Sequence, residues 1–139
     1  MSHTILVVED DADSLFLYEL FLQDLGVDVV GAESIPVALK HLAAGLKPSL
    51  ILLDYNLGRG HAGQFLTQLR ARADAIPPRI LLLSGEDGLA AKAQSLEADA
   101  FLRKPIDLDM FIVLVKDLLA RPYEPMPKVR IETQAAPPS

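Results

Sequence analysis

The chain has 139 residues, half of them hydrophobic and 23% charged, with a formal net charge of −6. That is one domain by length, with enough apolar residues for a real core. The lack of cysteine excludes a disulfide scaffold and a zinc–thiolate site, and the acidic balance disfavours a nucleic-acid surface while suiting a hard cation. His3, His41 and His61 are scattered and read as ordinary surface or loop residues. No apolar stretch approaches the ~20 residues of a membrane span, and the N-terminus has no signal-peptide pattern, so a cytoplasmic protein is expected.

Strand-like and helix-like segments alternate along the chain. A strand over about Thr4 to Val8 precedes a helix over about Ala12 to Leu25, which Gly26 can close. Val27 to Val30 reads as a second strand, and Pro36 to Ala44 as a helix with Ser34 as cap and Gly45 as stop. Ser49 to Leu53 is the third strand; a glycine-rich loop, Gly58 to Gly63, leads to a helix at about Gln64 to Ala73. Arg79 to Leu83 and Asp87 to Leu96 form the fourth pair. A short strand at Ala100 to Leu102 and a helix at Leu108 to Ala120, capped by Asp107, complete the series. Five such units predict a doubly wound α/β sandwich around a five-stranded parallel sheet.

After Arg121 the composition changes. Residues 122–139 hold five of the ten prolines and read as a tail attached to a domain of residues 1–121. Pro122 to Pro125 fits a P-x-x-P pattern but suits a polyproline spacer as well. Val129-Arg130-Ile131-Glu132-Thr133 alternates like an edge strand, able to dock on this or another subunit.

The strands are short apolar runs, as expected where helices cover both faces of the sheet. Four of the five end in polar residues: Glu9-Asp10-Asp11, Asp54, Ser84-Gly85 and Arg103-Lys104-Pro105. Ligands bind beyond the carboxyl ends of strands in such sheets. The second strand ends instead in Gly31-Ala32, which fits the order 2-1-3-4-5 with that strand at an edge.

Glu9, Asp10 and Asp54 together would place about three negative charges side by side, a cost that a metal or a proton relieves. Mg²⁺ takes hard oxygen ligands and keeps waters for phosphate oxygens. A carboxylate beside it can attack a phosphoryl group, with Lys104 as counter-charge and Ser84 as hydroxyl donor. Singly these motifs are weak: acids after a strand can be a solvated loop, a serine a helix cap, a Lys-Pro pair a turn. One geometric explanation covers all four.

With these residues in place, the chain resembles the receiver domain of two-component response regulators over about residues 3–121. The resemblance rests on Leu6-Val7-Val8-Glu9-Asp10-Asp11, Leu52-Leu53-Asp54, Leu83-Ser84-Gly85 and Phe101-Leu102-Arg103-Lys104-Pro105. It implies a flavodoxin-like fold, Asp54 as phosphoacceptor, and Asp10, Asp54 and the Asn56 backbone carbonyl as Mg²⁺ ligands. Glu9, where the family more often has aspartate, would act directly or through water. Ser84 would contact the phosphoryl group, Lys104 would pair with it, and the Lys104–Pro105 peptide would be cis. Phe101 falls at the family's aromatic switch position, although it also reads as a core phenylalanine. Asn56 and Glu86 are the types found in the single-domain chemotaxis regulator, which implies a short-lived phosphoryl group.

The chain departs from the family in the loop Leu57-Gly58-Arg59-Gly60-His61-Ala62-Gly63, where a proline is usual at position 58 and the turn is shorter. The helix near residues 12–25 is apolar around most of its circumference. That surplus is either covered by the tail or a neighbouring helix, or serves a phosphodonor helix or a homodimer. The resemblance implies a stand-alone switch rather than an enzyme, phosphorylated by a histidine kinase or phosphotransfer protein and acting on a downstream protein target. No output domain fits in the residues after Arg121. Two other classes share the residues: a phosphorylation-independent adaptor, and an aspartyl-nucleophile phosphohydrolase, against which Asn56 stands where such enzymes carry a second acid.

Overall fold

The computed structural model describes residues 3–57, 62–72, 77–120 and 130–131. Strand β1 (Thr4–Val8) leads to helix α1 (Ala12–Gln23), β2 (Asp28–Ala32), α2 (Ile35–Ala43) and β3 (Leu50–Asp54). Then follow α3 (Ala62–Arg70), β4 (Arg79–Ser84), α4 (Leu89–Ser95), β5 (Ala100–Arg103), α5 (Leu108–Ala120) and the two-residue β6 (Arg130–Ile131). The sheet order is β2-β1-β3-β4-β5-β6, all parallel. The expected doubly wound sheet of order 2-1-3-4-5 with five helices is borne out, and β6 extends it at the β5 edge. Arg130 lies opposite Ala100 and Ile131 opposite Phe101. The expected edge strand thus docks on its own domain. The P-x-x-P segment and residues 58–61 of the glycine-rich loop lie outside the described residues.

Alternate residues of β1 to β5 feed two cores. Leu6, Val8, Ile51, Leu53 and Leu82 pack with α2, α3 and α4 on one face. Ile5, Val7, Leu50, Leu52 and Leu81 pack with α1 and α5 on the other. Both faces are buried, so the runs carry no polar alternation.

Helix ends follow local chemistry. Asp11 caps α1 by accepting the Ser14 N–H at 3.0 Å, and Ser34 caps α2 by accepting the Val37 N–H at 3.3 Å. Asp107 accepts the Met110 N–H at 3.2 Å at the start of α5. Helix α1 ends two residues before the expected Leu25, because Leu25 N–H and Gly26 N–H turn back to Leu22 and Gln23. Helix α3 starts two residues before the expected Gln64, and α4 two residues after the expected Asp87, behind Gly88 at φ 75°. Strands β3 and β4 each run one residue further than expected, so Asp54 and Ser84 belong to the ladder itself. Among the described residues no helix is long and apolar enough to cross a membrane.

Candidate functional site: an acidic pocket at the carboxyl edge of the sheet

Parallel pairing in register brings the carboxyl ends of β1, β3, β4 and β5 to one edge. Glu9 follows β1, Asp54 ends β3, Ser84 ends β4, and Lys104 follows β5. Backbone bonds hold these tips: Glu9 N–H donates to Ala32 O at 3.0 Å, Tyr55 N–H to Leu83 O at 2.8 Å, and Lys104 N–H to Ser84 O at 2.9 Å. The Lys104–Pro105 peptide is cis.

Glu9, Asp10 and Asp54 each offer an oxygen, and these atoms lie within 4.8 Å of one another. Glu9 is 1% exposed and Asp54 5% exposed, whereas Asp10 opens to solvent. Three hard oxygen donors with one exposed side suit a divalent cation that retains water, as Mg²⁺ does. Asp11, the third acid of the run, does not join them. It caps α1, and hydrogen bonds from the Ser14 hydroxyl and N–H hold its carboxyl below the ordinary range.

Lys104 Nζ reaches Glu9 Oε1 at 2.9 Å and Asp54 Oδ2 at 3.5 Å, across 95 positions of sequence. Burial pushes the Glu9 carboxyl up to about 7, helped by a hydrogen bond shared with the Asp54 carboxyl and opposed by Lys104. Burial alone would pull the Lys104 ammonium down. The Glu9 hydrogen bond and the charges of Tyr18, Asp54 and Glu9 outweigh it, so Lys104 is held above its ordinary value. Tyr18 is buried on α1, stacked on Phe111 at 5.7 Å between centroids, and its hydroxyl is pushed up to about 12, mainly by burial.

The rim comes from the two loops beside Asp54. Asn56 N–H donates to Asp54 Oδ1 at 3.2 Å, and Glu86 N–H donates to Ser84 Oγ at 3.0 Å. Ser84 is therefore not a helix cap; its hydroxyl is a buried group tied to the β4–α4 turn. Hydrogen bonds from Lys92, then from the Asn56 side chain, hold the Glu86 carboxyl below its ordinary range. Phe101 is buried in the core beneath α2, α3 and α4, so its ring points into the domain.

Sequence reasoning missed two contributors, Tyr18 and Lys92. Tyr18 read as one of many apolar residues on α1. Lys92 carries no signal in the sequence, since no local spacing links it to Asn56 or Tyr55.

The fold and the pocket define a class: a doubly wound domain whose switch point carries three acids, a hydroxyl and a lysine, groups that handle phosphate and a hard cation. The chain belongs to the response regulator receiver domain family, whose model matches residues 5–116. It is 32% identical over 123 residues to response regulator Rre1 of Synechocystis sp., covering 85% of this chain and 52% of that protein. It is 34% identical over 122 residues to the transcriptional regulatory protein PrrA of Mycobacterium tuberculosis, covering 86% and 51% respectively. The chain thus spans about half the length of these relatives. A crystal structure of a putative response regulator from Chloroflexus aurantiacus superposes with a TM-score of 0.78 at 27% identity, covering 87% of this chain and 100% of that one.

Proposed function

We propose that residues 1–121 act as a phosphoryl-accepting switch in two-component signalling, with residues 122–139 as an attached tail. In this reading Asp54 attacks the phosphorus of a phosphohistidine on a kinase or phosphotransfer protein. The Asp54 oxygen–phosphorus bond forms as the nitrogen–phosphorus bond breaks, and the imidazole leaves and takes a proton. Bound Mg²⁺, held by Asp10, Asp54 and the Asn56 carbonyl with Glu9 direct or through water, would neutralise phosphoryl oxygens. Lys104 leaves its ion pair with Glu9 and Asp54 to meet the new dianion, and the Ser84 hydroxyl donates to it.

Drawing Ser84 towards the phosphoryl group opens space behind it that Phe101 occupies, which changes the surface offered to a downstream protein. A phenylalanine gains only packing there, so the two states differ by less than a hydrogen-bonding tyrosine would allow. Asn56 and Glu86 orient a hydrolytic water, giving a short-lived phosphoryl group. Phe16, Leu17 and Leu20 are exposed on α1, with Phe16 60% exposed, and suit a helix of the phosphodonor.

The observation that carries the proposal is the convergence of Lys104 on two buried carboxylates, with Asp10 alongside. The test is intact-mass measurement with acetyl phosphate and Mg²⁺ on the native chain and on Asp54→Asn. One phosphoryl adduct is expected on the native chain and none on the variant. No adduct on either would favour an adaptor, and steady phosphate release from unrelated esters a hydrolase.

A further inference from the structure

Lys92 lies outside the pocket, in the last turn of α4, yet it connects both loops that rim Asp54. Its ammonium donates to Glu86 Oε2 and forms an ion pair with it. The same Nζ sits 4.7 Å from the centroid of the Tyr55 ring, the residue between Asp54 and Asn56. Glu86 in turn accepts a hydrogen bond from the Asn56 side chain. The Glu86 side chain is 45% exposed. An anionic side chain beside a phosphoryl dianion is repelled and turns to solvent unless a cation holds it. Lys92, seated over the Tyr55 ring and paired with Glu86, supplies that cation.

We propose that Lys92 is a positioning residue for hydrolysis of the aspartyl phosphate: anchored on Tyr55, it holds the Glu86 carboxylate against Asn56 so that the pair orients the attacking water. This rests on the reading of Asp54 as phosphoacceptor. In the step itself a water oxygen–phosphorus bond forms while the Asp54 oxygen–phosphorus bond breaks. Asp54 leaves as a carboxylate, and the water's protons end on inorganic phosphate and solvent. Lys92 touches neither the water nor the phosphorus. Its effect passes through Glu86 and Asn56.

A partly exposed ion pair adds little to folding stability, so lifetime and stability separate in the test. The chain is phosphorylated with acetyl phosphate and Mg²⁺, the donor is removed, and decay of the adduct is followed by intact mass. Lys92→Ala is expected to slow decay about tenfold, a loss of orientation rather than of chemistry. Thermal unfolding should hardly change, and Lys92→Arg should restore most of the rate. In a Glu86→Ala background, Lys92→Ala should slow decay no further. Decay of Lys92→Ala at the native rate, or equal slowing with and without Glu86, would overturn the inference while leaving Asp54 as acceptor. No adduct on the native chain would overturn the underlying reading and this inference with it.

Discussion

Glu9 is a buried acid with a lysine at 2.9 Å on one side and the Asp54 carboxyl on the other. Burial raises its pKa from 4.5 to about 7 in the metal-free protein. Between those two values the folded chain therefore holds a proton that the unfolded chain has lost. Stability must fall as pH rises through that window, and level off above it. Lys104 is also raised, but from 10.5, so it titrates far outside this range. In a chelator, the melting temperature should drop as pH rises from 4.5 towards 7, and Glu9→Gln should flatten the slope. A melting temperature that climbs across the window in the native chain, or the same slope in Glu9→Gln, would contradict the assignment. At this scale the sequence was informative where a residue's place follows from a strand end, as for Asp10, Asp54 and Lys104. It was silent where placement depends on packing between distant segments. The influence of Tyr18 on Lys104 and the seat of Lys92 over Tyr55 have no signature in spacing, because nothing local encodes which helical face meets which loop.

Two helices end with the same hydrogen-bond pattern but with different residues, and the contrast has an energetic consequence. After α2, Gly45 N–H donates to Leu42 O and Leu46 N–H to His41 O, with Gly45 at φ 107°. After α4, Glu97 N–H donates to Gln94 O and Ala98 N–H to Ala93 O, with Glu97 at φ 57°. Glycine adopts that left-handed geometry freely, whereas a residue with a Cβ is strained there. Arg70 compensates from α3: its guanidinium donates to Leu96 O at 2.7 Å and Glu97 O at 2.9 Å. Glu97→Gly is expected to raise stability in urea unfolding by roughly 0.5–1 kcal/mol, as relief of left-handed strain exceeds the added chain entropy. A loss of stability would show that the Glu97 side chain contributes more than its backbone costs. Gly45 was readable as a stop. The end of α4 near Leu96 was readable too, but not the left-handed turn at Glu97, because no glycine marks it. The apolar surplus of α1 was legible, and among the described residues Phe16, Leu17 and Leu20 remain exposed.

For the molecule as a whole, site and topology are one problem. Placing β2 at the edge puts β1 beside β3, and that adjacency sets Glu9 and Asp10 against Asp54. Adding β4 and β5 in parallel register brings Ser84 and Lys104 to the same rim. The strand order was legible from a small asymmetry, the bland end of the second strand, since chemistry collects only where strands diverge at the switch point. The addition of β6 was half legible: its alternation marked an edge strand, but the choice of partner lay in the exposed backbone of β5. The measurement that bears most directly on the whole is a crystal structure of the chain with Mg²⁺ and beryllium trifluoride, a mimic of the phosphoryl group. The expected result is the trifluoride on an Asp54 oxygen, with Lys104 Nζ moved from Glu9 onto a fluorine, Ser84 Oγ on another, and Mg²⁺ held by Asp10, Asp54 and the Asn56 carbonyl. A trifluoride bound elsewhere, or Lys104 still paired to Glu9 beside a loaded Asp54, would contradict it.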